Sequence, residues 1–187
     1  MRTPTDISTQ RLEYFSDAVL AVAITLMVLR ISPPVQRPGQ SEWQAFNDQT
    51  IPAIIYFLIT FAVIVELWRH HHDIFERMPE RATSRQMAFN MAFLATVCLI
   101  PFGLEYYTTS PLTMFSTAVY AVLLAVPTLC LGLLGRDITG EMPWGAIRIS
   151  VIFLLAVPLT PLLGSWALVV WVADLPLRAY MDRRRAA

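Results

Sequence analysis

Residues 11–29 read Arg11-Leu12-Glu13-Tyr14-Phe15-Ser16-Asp17-Ala18-Val19-Leu20-Ala21-Val22-Ala23-Ile24-Thr25-Leu26-Met27-Val28-Leu29. Three charged side chains open the stretch. From Ala18 to Leu29 the only polar side chain is Thr25. At about 100° per residue, Val22, Leu26 and Leu29 (i, i+4, i+7) share one helical face, and Phe15 and Ala18 extend it toward the start. Thr25 falls about 60° from Val22, beside this stripe, and Asp17 about 140° away from it. The carboxylate and the apolar stripe therefore meet different surroundings. A charge inside a bilayer needs a partner or water, so this segment carries more information than its hydropathy alone.

The rest of the chain says what kind of surroundings these are. Of 187 residues 56% are hydrophobic and 15% charged, with a mean hydropathy of +0.53. A soluble domain is nearer a quarter charged, so the composition excludes a disordered chain and points to a membrane protein. The length accommodates about six or seven spanning helices and no large soluble domain beside them. All 14 basic residues are arginines, balanced by 14 acidic ones. This neutral balance gives no pull toward nucleic acid. Cys98 and Cys130 lie in apolar runs and read as small core residues, without a disulfide. The opening MRTPTDISTQ lacks an apolar stretch with a cleavage site, so no removed signal peptide is expected.

The reading is an all-α integral membrane protein forming a single domain over 1–187, with spans near 12–31, 51–69, 86–105, 111–134, 144–163 and 165–180. Pro33, Pro34, Pro38 and Gly39 end the first helix, and Ser41–Phe46 suits a short interfacial amphipathic helix. The stretch between Arg148 and Asp174 has 25 uncharged residues, broken by Pro158, Pro161 and Gly164, and divides into the last two spans. Arginine placement favours six spans over five. With the N-terminus inside, Arg2, Arg11, Arg69, Arg77, Arg81, Arg85, Arg136, Arg148, Arg178, Arg183, Arg184 and Arg185 are inside, and Arg30 and Arg37 outside, a division of 12 to 2. Five spans would put the C-terminal arginines outside. The expected location is the plasma membrane, or the inner membrane of a bacterium, with both termini cytoplasmic. The two halves show no internal repeat, so a pathway through so small a chain is most simply built from several copies around an axis.

The first helix resembles that of prokaryotic members of the transmembrane protein 175 potassium channel family. Their R-x-x-x-F-S-D hallmark stands here as Arg11, Phe15, Ser16 and Asp17, followed by the A-I-A-I-T-L-L-V-L-like segment Ala21–Leu29. Trp68, His70 and His71 after the second helix, and Asn90 and Pro101-Phe102 in the third, continue the likeness. The last three helices match only in number and hydropathy. The resemblance implies a homotetramer, a potassium-selective leak channel in which first helices line a central pore. It also implies constriction positions at Val22, Leu26 and Leu29 with a threonine layer at Thr25. Val22 departs from the bulkier isoleucine or leucine usual at its position, which widens that ring and shifts the constriction toward Leu26 or Leu29. No T-V-G-Y-G stretch occurs, so a carbonyl cage of that type is not expected. Selection would rest on an apolar ring and four Thr25 hydroxyls, and such a ring can close by dewetting.

The remaining polar residues admit other readings. Arg11 and Asp17 suit a structural ion pair or a proton site; the angle away from the stripe favours structure, with Ser16 and Asp17 bonding neighbouring helices. His70, His71 and His72 point 100° apart, and His70 with Asp73 lacks a third ligand, so neither a metal nor a catalytic site is expected. A polar network at the inner end joining Trp68, His70, His71 and Asn90 to the Arg11 motif fits better. Glu66 suits a pair with Arg69 at i+3, and Glu105 is expected to be solvated. A membrane enzyme would need separated histidines or carboxylates converging on one site. A proton-coupled transporter using Asp17 and Glu66 would be expected to show inverted repeats. A proton-conducting channel is the alternative of the same class. No cofactor is expected; the partners are further copies of the chain, the lipid bilayer and monovalent cations, chiefly permeant K+.

Overall fold

The computed structural model of the protein describes residues 7–110 and 113–163. The expected sixth span, 165–180, with Asp174, Arg178 and the arginine tail, lies outside these residues, as does Arg2. Seven α-helices follow in order: α1 Thr9–Val28, α2 Glu42–Ala45, α3 Ile51–Phe75, α4 Ser84–Cys98, α5 Ile100–Thr109, α6 Met114–Thr139 and α7 Trp144–Leu163. A π-helical turn, Phe46–Thr50, joins α2 to α3 without a loop. The interfacial helix expected at Ser41–Phe46 is thus the first turn of a continuous helical segment, opened by a capping box in which Ser41 and Gln44 satisfy each other's backbone N–H groups.

Among the described residues four helical segments are long and apolar enough to cross a membrane: Glu42–Phe75, Ser84–Thr109, Met114–Thr139 and Trp144–Leu162. These are four of the six expected spans; the other two are α1 and the segment 165–180, which lies outside the described residues. The helix α1 has 20 residues, but Arg11, Glu13 and Asp17 crowd its first half and keep it out of the four. The third span is corrected in shape. It breaks into α4 and α5 at Leu99, because Pro101 brings no N–H to bond the carbonyl four residues back. Its start is set by a second capping box, Thr83 with Gln86, two residues before the charge-free run begins.

The helix α6 is the hub, packing against α3, α4, α5 and α7, while α1 lies on α3, α4 and α5. Tyr107, Tyr120, Phe93, Ile64, Leu124 and Leu131 fill the interior. Tyr120 shares a hydrogen bond with Thr60, joining α6 to α3. Gly132 lets α7 start close to α6: a Cβ there would stand 2.5 Å from the Ala146 Cβ. Gly140, at φ 75°, ends α6 in the left-handed conformation that glycine adopts freely, its N–H bonding the Arg136 carbonyl. Ile55, Leu58, Phe61 and Val65 on α3, and Val151, Leu154 and Leu155 on α7, are exposed apolar residues of the kind lipid covers.

Among the described residues one small departure from an all-helical fold occurs. Ile7–Ser8 (β1) pairs antiparallel with Arg81–Ala82 (β2). Next to it the Thr9 N–H donates to the Glu80 carbonyl at 3.0 Å, and the Thr9 hydroxyl to the Pro79 carbonyl at 2.5 Å. The start of α1 is thereby clasped to the loop between α3 and α4.

Candidate pore face and the network behind it

The two sides of α1 are built from different materials. Thr9, Leu12, Ser16, Leu20, Ala23 and Met27 recur every three or four residues and are buried against the bundle. The opposite side carries Phe15, Val22, Leu26 and Leu29, which remain 52%, 56%, 45% and 75% exposed. Thr25 is exposed on the same side and donates its hydroxyl to the Val22 carbonyl at 2.8 Å. Its proton is therefore committed to its own helix, and the oxygen lone pairs are the part it presents outward. The structure brings Val22, Thr25, Leu26 and Leu29 onto one uncovered face.

Behind this face Ser16 takes part in a directed chain of hydrogen bonds. The Ser16 hydroxyl donates to the Leu12 carbonyl at 2.8 Å and accepts from Asn90 Nδ2 at 2.9 Å. With that amide nitrogen facing Ser16, Asn90 Oδ1 faces His71 Nε2 at 3.0 Å. The proton then belongs on Nε2, an assignment made from the network rather than from a visible hydrogen. The chain runs from α3 through α4 into α1, and all three side chains are fully buried. The His71 ring is sandwiched by Phe75 and Phe93, with centroids 4.1 and 5.4 Å away. A buried polar group left without a partner costs about 1–3 kcal/mol, so each member constrains the position of the next.

Asp17 is held from the side. Trp68 of α3 donates its indole N–H to Asp17 Oδ1 at 2.9 Å. Arg11 and Asp17 form no ion pair: six residues apart, they do not share a helix face. Arg11 and Phe15 instead line a hollow of about 1110 Å³ with the loop around Pro79. The three adjacent histidines separate as their spacing requires. His71 is interior, His72 lies 3.4 Å from both Glu13 of α1 and Glu76, and exposed His70 lines a different cavity beside α6. His70 therefore stands apart from the hydrogen-bonded chain of Ser16, Asn90 and His71.

Glu66 and Arg69 pair at 3.1 Å. The Glu105 side chain stays 42% exposed, as expected, while its carboxylate meets the Arg30 guanidinium at 2.5 Å and ties α5 to the far end of α1. Neither this pair nor Glu13 with His72 has a local sequence signal, because both partners come together only through the packing of α1 on α3 and α5. The clasp at Thr9 likewise depends on a contact spanning 70 positions of chain.

Residues 11–101, which run from the first turn of α1 to the start of α5, match the family model described as endosomal/lysosomal potassium channel TMEM175. A potassium channel of Chamaesiphon minutus is 32% identical over 125 residues, covering 65% of this chain and 61% of that protein. The endosomal/lysosomal proton channel TMEM175 of Bos taurus is 32% identical over 114 residues, covering 57% of this chain and 23% of its own. The chain thus spans less than two thirds of the length of these curated relatives. A solved structure of a lysosomal potassium-selective channel TMEM175 homolog from Chamaesiphon minutus superposes with a TM-score of 0.72 at 26% identity, covering 96% of this chain and 98% of that one. Its helical membrane fold is matched over nearly the whole length, and its first helices resemble those of the TMEM175 family in sequence.

Proposed function

We propose that the chain is one subunit of a homotetrameric, potassium-selective leak channel in which four α1 helices surround the ion path. The observation that carries this reading is the uncovered face of α1. Val22, Leu26 and Leu29 stand exposed there, while polar Ser16 is turned inward and bonded. A helix whose polar residue is buried and whose apolar stripe is bare is oriented for a partner beyond its own chain. Similarity to potassium channels supports the choice of ion.

In this arrangement Val22, Leu26 and Leu29 form successive apolar rings, the narrowest at Leu26 or Leu29, and the gate closes by dewetting. Thr25 Oγ1, its proton already given to Val22, offers four oxygens to a partly dehydrated cation. The full subunit then has six spans, α1 and the segment 165–180 included, in a plasma or bacterial inner membrane, with both termini cytoplasmic. The TMEM175 family comprises ion channels, and the membrane-enzyme reading is set aside on that ground.

Proton conduction is the second reading. Relatives named as proton channels favour it, and water threading a narrow apolar pore would carry protons. Flux into liposomes holding purified protein, under separate potassium, sodium and proton gradients, distinguishes the two. Potassium flux exceeding sodium flux, with no second gradient required, is the expected result. Flux that needs a stoichiometric second gradient rejects any channel. Replacing Leu26 by serine is expected to raise conductance or loosen selectivity; unchanged currents and ion ratios would remove it from the ion path.

A further inference from the structure

A second cavity, of about 240 Å³, opens where the end of α3 meets the end of α6 and the start of α7. Arg77 and Arg136 line it together with His70, Trp144 and Glu141. Neither arginine is held in an ion pair among the described residues, although Arg30, Arg69 and Arg85 are. Gly132 and Gly135 form part of the wall, and their missing side chains keep it hollow. The cavity lies at the end of the bundle where Arg69, Arg77, Arg81, Arg85 and Arg136 gather, which is where a helical bundle meets lipid head groups.

Two further observations give the ligand its shape. Trp144 is 69% exposed at the rim, and tryptophan settles at the level of the head groups, where one end of its ring is apolar and the other wet. From Arg136 an apolar stripe runs back along α6 through Leu133, Leu129 and Val122, all exposed and all within about 60° of one another on the helix. The cavity thus has a cationic lining and a tryptophan at its rim, and Arg136 joins it to the apolar stripe.

We propose that this cavity seats the head group of an anionic phospholipid, with Arg77 and Arg136 on its phosphate, Trp144 beside the glycerol and an acyl chain along Leu133, Leu129 and Val122. Two guanidiniums against the single carboxylate of Glu141 select a net negative head group over a zwitterionic one. The volume suits a phosphoglycerol head with the chains left outside. This site is independent of which ion the channel carries.

The test is thermal unfolding of the purified full chain in detergent, with phosphatidylglycerol, phosphatidylcholine or inorganic phosphate added at equal concentration. Phosphatidylglycerol is expected to raise the midpoint by several degrees, phosphatidylcholine by much less and inorganic phosphate not at all. The double variant Arg77→Gln/Arg136→Gln should lose most of that rise, and Arg81→Gln, at the same end of the bundle but outside the cavity, should keep it. Equal stabilisation by phosphatidylcholine or by free phosphate overturns the proposal, as does equal loss in Arg81→Gln. A second measurement stands if the double variant folds poorly. Phosphatidylglycerol brominated on its acyl chains should quench the part of the fluorescence that Trp144→Phe removes, more than brominated phosphatidylcholine does. Equal quenching by the two lipids overturns the site.

Discussion

The two faces of α1 have the same helix geometry and opposite fates. One holds Leu12, Ser16, Leu20, Ala23 and Met27 in the bundle, joined to α3 and α4 by a directed chain through Asn90 to His71. The other leaves Phe15, Val22, Thr25, Leu26 and Leu29 exposed. The buried face is specified by contacts within one chain. The bare face is specified by nothing inside it, so its residues are free to answer to whatever lies outside. A mutation on the first should register as lost stability, and one on the second as altered transport.

The strongest way to break that division is at Asn90, which satisfies two partners at once. Asn90→Leu leaves Ser16 and His71 buried without it, and a loss of about 3 kcal/mol is expected in thermal unfolding of the detergent-solubilised protein. If the variant unfolds like the parent, the chain is ornamental. Leu20→Ala should follow at about 2–3 kcal/mol, since the side chain is 1% exposed and its removal leaves a cavity. Trp68→Phe, which removes the exposed bond to Asp17, should cost about 1 kcal/mol by the same assay. Asp17→Asn keeps an oxygen for the indole and should cost less still; an altered pH response of flux with assembly intact would make Asp17 a proton site instead. The smallest effect on folding belongs to Leu26→Ser, within about 0.5 kcal/mol of the parent, with its consequence read in liposome flux. A large destabilisation there would show that the bare face is covered by its own chain.

Much of this division was legible beforehand, because 3.6-residue periodicity operates within one helix. The stripe Val22, Leu26, Leu29 and the opposed Ser16 need only counting. What could not be counted was tertiary. Glu105 is solvated as its place near a helix end suggests, but its partner Arg30, 75 positions away, left no mark in the local sequence. The third span read as one charge-free run, while Pro101 divides it into α4 and α5. The first span carries Arg11, Glu13 and Asp17 in its first half, so composition alone does not set it among the four apolar segments. The β1–β2 pairing is two residues long on each side, too short for any alternation to show.

That pairing has a mechanical meaning. With Ser8 and Thr9 clasped to the α3–α4 loop at one end and Arg30 tied to α5 at the other, α1 resembles a rod journalled in two bearings. The two ends resist sliding along the axis, and the Ser16–Asn90 and Asp17–Trp68 bonds resist turning about it. Since neighbouring side chains stand about 100° apart, fixing the roll at Ser16 also decides which side chains lead on the bare face. The clasp of two-residue strands thus sets the height of the helix, and the buried bond at Ser16 sets its roll.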